Sequence, residues 1–487
     1  MAEEMSLSSL TLLPRLMFYT ALAWFLAGGA AGLLMVLFHV TGAAAVPAYY
    51  EALTVHGILM TFGGVFQLMA GLSLIRAGFC YGKPIRGLLF LSLYLLLNIS
   101  LAMLLASALA GVRVTYTLMF PLPAAGAFKG LWSIDMLTLF VWGVVLLLIA
   151  IIALYPASLA KILFFGKTKE QLVMERFMGT LSPSGMASML PFIFVVPPIG
   201  APILATAALI GAALLGVIPL TGISWFLEAV NFNYLFWPWA HNLMEAMGIM
   251  AIGTVYWIIP RYTADVEREP RLYSEKLGIF AIIFYTVAAA FAFPHHLFTM
   301  SSTQPIGLSY VGQLASWLTG FGAAFSVFNI LATGWRYGLK IRPASLAVLL
   351  GFSLYVTDGF LAMQLGTIGW NYRLHGTYYV TAHLMTILIA VTLIWIGAVY
   401  HHFQLLRGRG DDEKLSYLHI ILTTVAGFGL MYVMATMGVG GVPRRAYPIP
   451  FAADIQITLL TAFGALLALA QAIFIANLVR GGGVAAR

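Results

Sequence analysis

Residues 236–245 read FWPWAHNLME. A histidine and a glutamate interrupt a stretch that is otherwise almost free of ionisable groups. On a helix, His241 and Glu245 lie one turn apart on one face. Such groups are expensive inside a bilayer, and ionisable residues found there are functional candidates by default. The meaning of the pair therefore depends on whether the surrounding chain is a membrane bundle.

Composition answers that question. Of 487 residues, 61% are hydrophobic and 9% charged, against roughly 25% charged in soluble domains. Apolar runs long enough to span a bilayer recur along the chain. They lie near 14–40, 54–78, 86–112, 135–157, 189–217, 229–260, 276–298, 308–334, 343–367, 376–402, 416–438 and 453–480. Breaks such as AGFCYGKPIRG and PRYTADVEREPRLYSEK separate them. This predicts an all-α polytopic membrane protein with twelve transmembrane helices, residues 1–487 forming a single integral membrane domain. The first run, Pro14 to Val40, is too long for a signal peptide and reads as a retained helix.

With the N-terminus placed in the cytoplasm, 20 of the 25 Lys and Arg fall on the inner side. That split follows the positive-inside rule, and both termini are expected to be cytoplasmic. Arg113, Lys129, Arg373, Arg444 and Arg445 are the outer exceptions. The net charge of +8 then reflects basic inner loops, and no nucleic-acid partner is expected. The single cysteine, Cys80, excludes a disulfide framework, a zinc ribbon and a covalently attached c-type haem.

Among ten histidines, His56, His241, His295, His296 and His383 fall at similar depth in the outer half of the bilayer. One helix-end histidine can simply bond a carbonyl. Five at one level point to a buried metal or haem centre, because neutral imidazole tolerates low dielectric and is the commonest metal ligand. In FPHHLF (293–298), successive helical residues differ by about 100°. His295 and His296 can therefore reach one metal only where the helix is irregular, and Pro294 removes a backbone donor there. His401, His402 and His419 flank a basic loop and receive no role.

In this order the histidines resemble those of the catalytic subunit of the haem–copper oxidase superfamily. HGILMTF resembles its helix-two motif. LFWPWAHNLME resembles its helix-six motif, with Trp237 ahead of the distal-metal ligand. The pair at 295–296 resembles the other two distal-metal ligands, TYYVTAHLM the helix-ten motif, and GGVPRRAYP the paired arginines that hold haem propionates. The resemblance runs from 56 to 445 and implies the subunit I fold. It implies that His56 binds a low-spin haem, His383 a high-spin haem, and His241, His295 and His296 a distal metal, copper or non-haem iron. Arg444 and Arg445 would hold propionates, and both haems are expected to be b-type.

Two positions depart from the family pattern. Oxygen-reducing members usually carry a tyrosine four residues after the helix-six histidine. Here that position is Glu245, and Asn242 replaces a proline. Another branch places the tyrosine in helix seven, shortly before the histidine pair. Tyr285 lies ten residues before His295, which does not match, and Tyr256 lies far along span six. The family's nitric oxide reductases resemble this chain in carrying a glutamate there, where it binds or flanks the distal metal. A carboxylate suits iron better than Cu(I), while copper stays open. Glu245 can also be read as a protonated acid within the bundle or a step in a proton path. The second departure is Met385, where the family usually has the second histidine of His-x-His. Methionine is a competent axial partner to His56 and raises the potential relative to bis-His. Otherwise Met385 is bundle filler, and His375 is a shallower substitute.

These features imply the catalytic subunit of a nitric oxide reductase in a prokaryotic cytoplasmic (inner) membrane. Two NO would become N2O and water, with His241 and Glu245 as the catalytic pair. A terminal oxygen reductase with an atypical site is the alternative. A transporter with proton-relaying histidines is a third reading, and it explains neither the histidine pair nor the arginine pair. Without a cysteine pair for binuclear copper or a c-haem motif, electrons are expected from a partner subunit, a cytochrome c, a cupredoxin or a quinol. Span eight lacks the lysine of the family's proton channel. Asp135, Glu228 and Asp358 are each proton-path candidates or helix-end groups.

Overall fold

The computed structural model describes residues 7–42, 46–81, 85–113, 133–164, 182–263, 271–300 and 304–480. Of the basic residues in the charge count, Lys83, Lys129, Lys167, Lys169, Arg176, Arg268 and Arg487 lie outside them. Among the described residues, twelve helices are long and apolar enough to cross a membrane. They are α1 (Leu12–Thr41), α2 (Ala48–Gly78), α3 (Leu88–Leu109), α4 (Ile134–Phe164), α5 (Pro183–Leu214) and α6 (Ala229–Tyr262). They continue with α7 (Glu275–Thr299), α8 (Ile306–Tyr337), α9 (Pro343–Leu365), α10 (Tyr378–His401), α11 (Glu413–Val439) and α12 (Asp454–Arg480).

Each helix overlaps one apolar run, and the ends follow capping chemistry. Helix α5 starts before its run because Ser182 accepts from the Gly185 N–H at 3.0 Å and Pro183 occupies the first turn. Ser133, Ser274 and Asp412 cap α4, α7 and α11 in the same way. One end of the bundle is basic: Arg15 donates to the Leu405 carbonyl at 2.9 Å and Arg342 pairs with Glu413 at 3.0 Å. The opposite end holds an Arg113–Glu51 pair at 2.9 Å and the Arg444–Arg445 segment.

Helix α6 is buried over nearly all its length, and α2 almost as much, whereas α1 and α12 turn most of their surface outward. Their exposed faces are apolar, including Leu12, Leu26, Leu37, Ile455 and Leu469, as lipid contact requires. Helices α9 and α10 approach at two glycines. A Cβ on Gly351 would meet the Ile394 nitrogen at 2.9 Å, and one on Gly397 the Ala344 carbonyl at 2.8 Å. Small residues permit this backbone contact, and it fixes the two helices that carry the Asp358–His383 pair described below.

Two helices lose α geometry beside their histidines. Helix α2 is π-helical over Leu59–Phe66, just after His56. Helix α7 is α-helical over Glu275–Ala290 and resumes as a 3-10 helix over Phe293–Met300.

Candidate metal centre

The fold gathers His241 from α6 with His295 and His296 from α7. One ligand atom of each lies within 4.8 Å of the others. The irregularity expected at the histidine pair is present, and the 3-10 turn sets the two imidazole centres 4.2 Å apart. Irregular backbone at membrane depth persists only where protein groups satisfy it. Asn371 Nδ2 donates to the His295 carbonyl at 3.2 Å and Gln304 Nε2 to the Pro294 carbonyl at 3.3 Å. Gly312 of α8 leaves the necessary room, since a Cβ there would lie 2.7 Å from Pro294 Cβ and 3.1 Å from the His295 nitrogen.

The rings of His295 and His296 are held from behind. Ser316 Oγ, one turn beyond Gly312, lies 2.9 Å from His295 Nδ1, which leaves Nε2 for a ligand bond. Trp237 stacks on His296 with centroids 3.9 Å apart and planes at 4°. Its Nε1 donates to Asn233 Oδ1 at 3.0 Å. His241 Nε2 is buried and has no hydrogen-bond partner. An orphaned polar atom of that kind is costly, and a metal bond would satisfy it. The donor set therefore fits a transition-metal ion.

Glu245 Oε1 lies 3.7 Å from His241 Nε2. That is too long for a hydrogen bond and short enough for both atoms to reach one cation. The Glu245 carboxyl lies next to the Tyr285 hydroxyl, which is 2.7 Å from the Tyr355 hydroxyl. Sequence spacing from His295 argued against Tyr285, yet it stands beside the site. Helix α7 runs opposite to α6, so stepping back from His295 moves in the same direction as stepping forward from His241 to Glu245.

The two other family-type histidines lie on α2 and α10, and α10 packs against the Leu59–Phe66 and Gln67–Tyr81 segments that follow His56. His56 Nδ1 is 2.9 Å from the Gly28 carbonyl, and a Cβ on Gly32 would lie 2.7 Å from the same nitrogen. His383 Nδ1 is 3.0 and 3.2 Å from the two carboxyl oxygens of Asp358. In both histidines these contacts engage Nδ1 and not Nε2. Met385 is half-buried among the core residues, two positions beyond His383. Asp358 is 2% exposed, so it is an interior group of α9. Asp135 and Glu228 are exposed first-turn and N-cap residues of α4 and α6, as the helix-end reading has it.

The arginine pair is pinned near the start of α10. The Arg444 N–H donates to the Gly376 carbonyl at 2.9 Å, and the Tyr378 N–H to the Val442 carbonyl at 2.9 Å. Tyr50 donates its hydroxyl to the Arg445 carbonyl at 3.1 Å. His375 sits between the short helix Ile368–Leu374 and α10. Burial, then the Arg444 charge, push its imidazole down to about 4, so it is neutral near pH 7. Ser316, Asn371, Gln304, Gly312 and the bond between Asp358 and His383 were not assigned from sequence. Only Asp358, an acid in an apolar run, carried a signal.

The profile of the cytochrome c and quinol oxidase polypeptide I family matches residues 13–470. Cytochrome c oxidase subunit 1 of Thermostichus vulcanus is 26% identical over 219 residues, covering 45% of this chain and 38% of its own length. The haem–copper oxidase subunit I+III of Aeropyrum pernix is 25% identical over 455 residues, covering 90% of this chain and 52% of its own. The chain thus spans about half or less of these relatives' length. A solved haem–copper terminal oxidase dimer shares the fold, with a TM-score of 0.76 at 18% identity over 97% of this chain and 84% of the other. The twelve-helix bundle, the histidine cluster and the match over almost the whole chain place this protein in the cytochrome c and quinol oxidase polypeptide I family, the catalytic subunits of the haem–copper oxidase superfamily.

Proposed function

We propose that this chain is the catalytic subunit of a membrane-bound nitric oxide reductase. The observation that carries the reading is Glu245, one helical turn from His241 and 3.7 Å from its Nε2. A carboxylate at that place adds negative charge and an oxygen donor to three imidazoles, a set that favours iron over Cu(I). The reaction takes two NO, two electrons and two protons to N2O and water. His241, His295, His296 and Glu245 would hold the distal metal. His383 would hold the high-spin haem, His56 and Met385 the low-spin haem, and Arg444 and Arg445 the propionates. Bound, these groups would supply electron transfer and a place where two NO meet.

The chain's own residues do the rest. Trp237 and Ser316 orient His296 and His295, so the donor atoms are preorganised. Glu245 can hold a proton at a carboxyl oxygen, and the Tyr285 and Tyr355 hydroxyls form the adjoining hydrogen-bonded step. The surrounding bundle excludes bulk water, which strengthens local electrostatics. The fold has its basic end on the cytoplasmic side of a prokaryotic cell membrane in this reading. Electrons come from a partner subunit, a cytochrome c, a cupredoxin or a quinol.

Tyr285 favours a second reading. A tyrosine hydroxyl beside Glu245 could take the part of the tyrosine that oxygen reductases use, and the relatives above are named as oxidases. Turnover of NO and of O2 measured on one haem-loaded preparation separates the two. N2O formation with slow O2 uptake is expected, and Glu245→Gln should lower both NO turnover and distal-metal content. Fast O2 uptake with negligible N2O would overturn the proposal. A near-infrared thioether-to-iron band is expected from Met385, and a bis-His spectrum would remove it from the ligand set.

A further inference from the structure

Asp358 is a carboxylate buried in a membrane helix, 2% exposed. Isolated, it would be costly in that medium. The group that compensates it is His383 Nδ1, at 3.0 and 3.2 Å from its two oxygens. Both carboxyl oxygens face Nδ1, and with the hydrogen on Nδ1 directed at them Nε2 presents its lone pair. The contact of α9 with α10 at Gly351 and Gly397 holds the two side chains in register. His56 offers a control within the same chain, because its Nδ1 meets the neutral carbonyl of Gly28 at 2.9 Å.

We propose that Asp358 is a positioning residue that makes His383 an electron-rich, imidazolate-like ligand and so lowers the reduction potential of the high-spin haem. The physical reason is general: a carboxylate hydrogen-bonded to a ligating histidine fixes its tautomer and raises its basicity. A more basic ligand strengthens the iron–nitrogen bond and favours ferric over ferrous iron. The inference rests on His383 as the haem ligand and is independent of whether the substrate is NO or O2.

The test uses the purified full chain with its haems bound, as wild type, Asp358→Asn, Asp358→Ala and Asp358→Glu. Resonance Raman reads the ferrous iron–histidine stretch, and redox titration reads each haem's midpoint. In Asp358→Asn the stretch is expected at lower frequency and the high-spin midpoint higher, with the low-spin midpoint unmoved. Asp358→Glu should shift both back toward wild type. Asp358→Ala should weaken retention of the high-spin haem about 10–100-fold while the low-spin haem stays, which also shows that the bundle is folded. An unchanged stretch and midpoint in Asp358→Asn, with full haem content, overturns the proposal. A wild-type protein without any ferrous iron–histidine band instead refutes His383 as ligand, and that failure belongs to the site reading.

Discussion

The two walls of the candidate centre are built in opposite ways. His383 stands on an unbroken helix and is held by one carboxyl group on a neighbouring helix. His295 and His296 stand on a broken helix and are held by several neutral contacts: a serine, a stacked indole, two amides and a glycine gap. A regular helix already satisfies its backbone, so one side-chain bond suffices to set a ring. A broken one must have its carbonyls satisfied as well. The difference teaches that adjacent ligands on one chain segment cost more scaffold than a single ligand on a helix face.

That contrast can be broken by experiment. The largest expected effect is His241→Ala, which removes a ring of the cluster. Distal-metal content should fall to background while both haem spectra persist, and metal analysis beside optical spectra checks it. Concerted loss of the high-spin haem would show that the walls are not independent. Next is Gly312→Val. Its side chain would press on Pro294 and the His295 nitrogen, and overpacking of this kind costs about 1–3 kcal/mol. A lower Tm with partial metal loss is expected, and an unaltered Tm with full metal would mean that α8 yields easily. Smallest is Ser316→Ala, which removes one neutral bond worth about 1 kcal/mol. Metal affinity should drop about fivefold with the iron–histidine stretch unmoved. A shift of that stretch would sink the separation of the walls.

Much of the bundle was legible in the sequence because lipid leaves few choices. Each span must be long and apolar, and each ionisable group inside it stands out. His241, His295 and His296 were found that way, and the break at Pro294 followed from helix geometry. The partner of Asp358 was not legible. His383 lies 25 residues on along another helix, and the facing of α9 on α10 depends on where Gly351 and Gly397 meet their neighbours. The nearness of Tyr285 to Glu245 was not legible either, because it depends on a distance across from α7 to α6 and not on spacing along α7. Ser316, Asn371 and Gln304 are neutral residues of common type, and only packing tells which of many such residues serves a histidine.

Asn371 sits on the short helix that joins α9 to α10. Its Nδ2 donates to the Leu365 carbonyl at 2.6 Å and to the His295 carbonyl at 3.2 Å. One amide therefore clips the hairpin bearing Asp358 and His383 to the turn bearing the histidine pair. It is expected to act as a spacer bar: if the bilayer thinned or thickened and the helices tilted, this clip would tie the two segments and resist a change in the gap between them. Magnetic coupling between haem and distal metal should then be the same in short-chain and long-chain lipid, and Asn371→Ala should make it depend on the lipid.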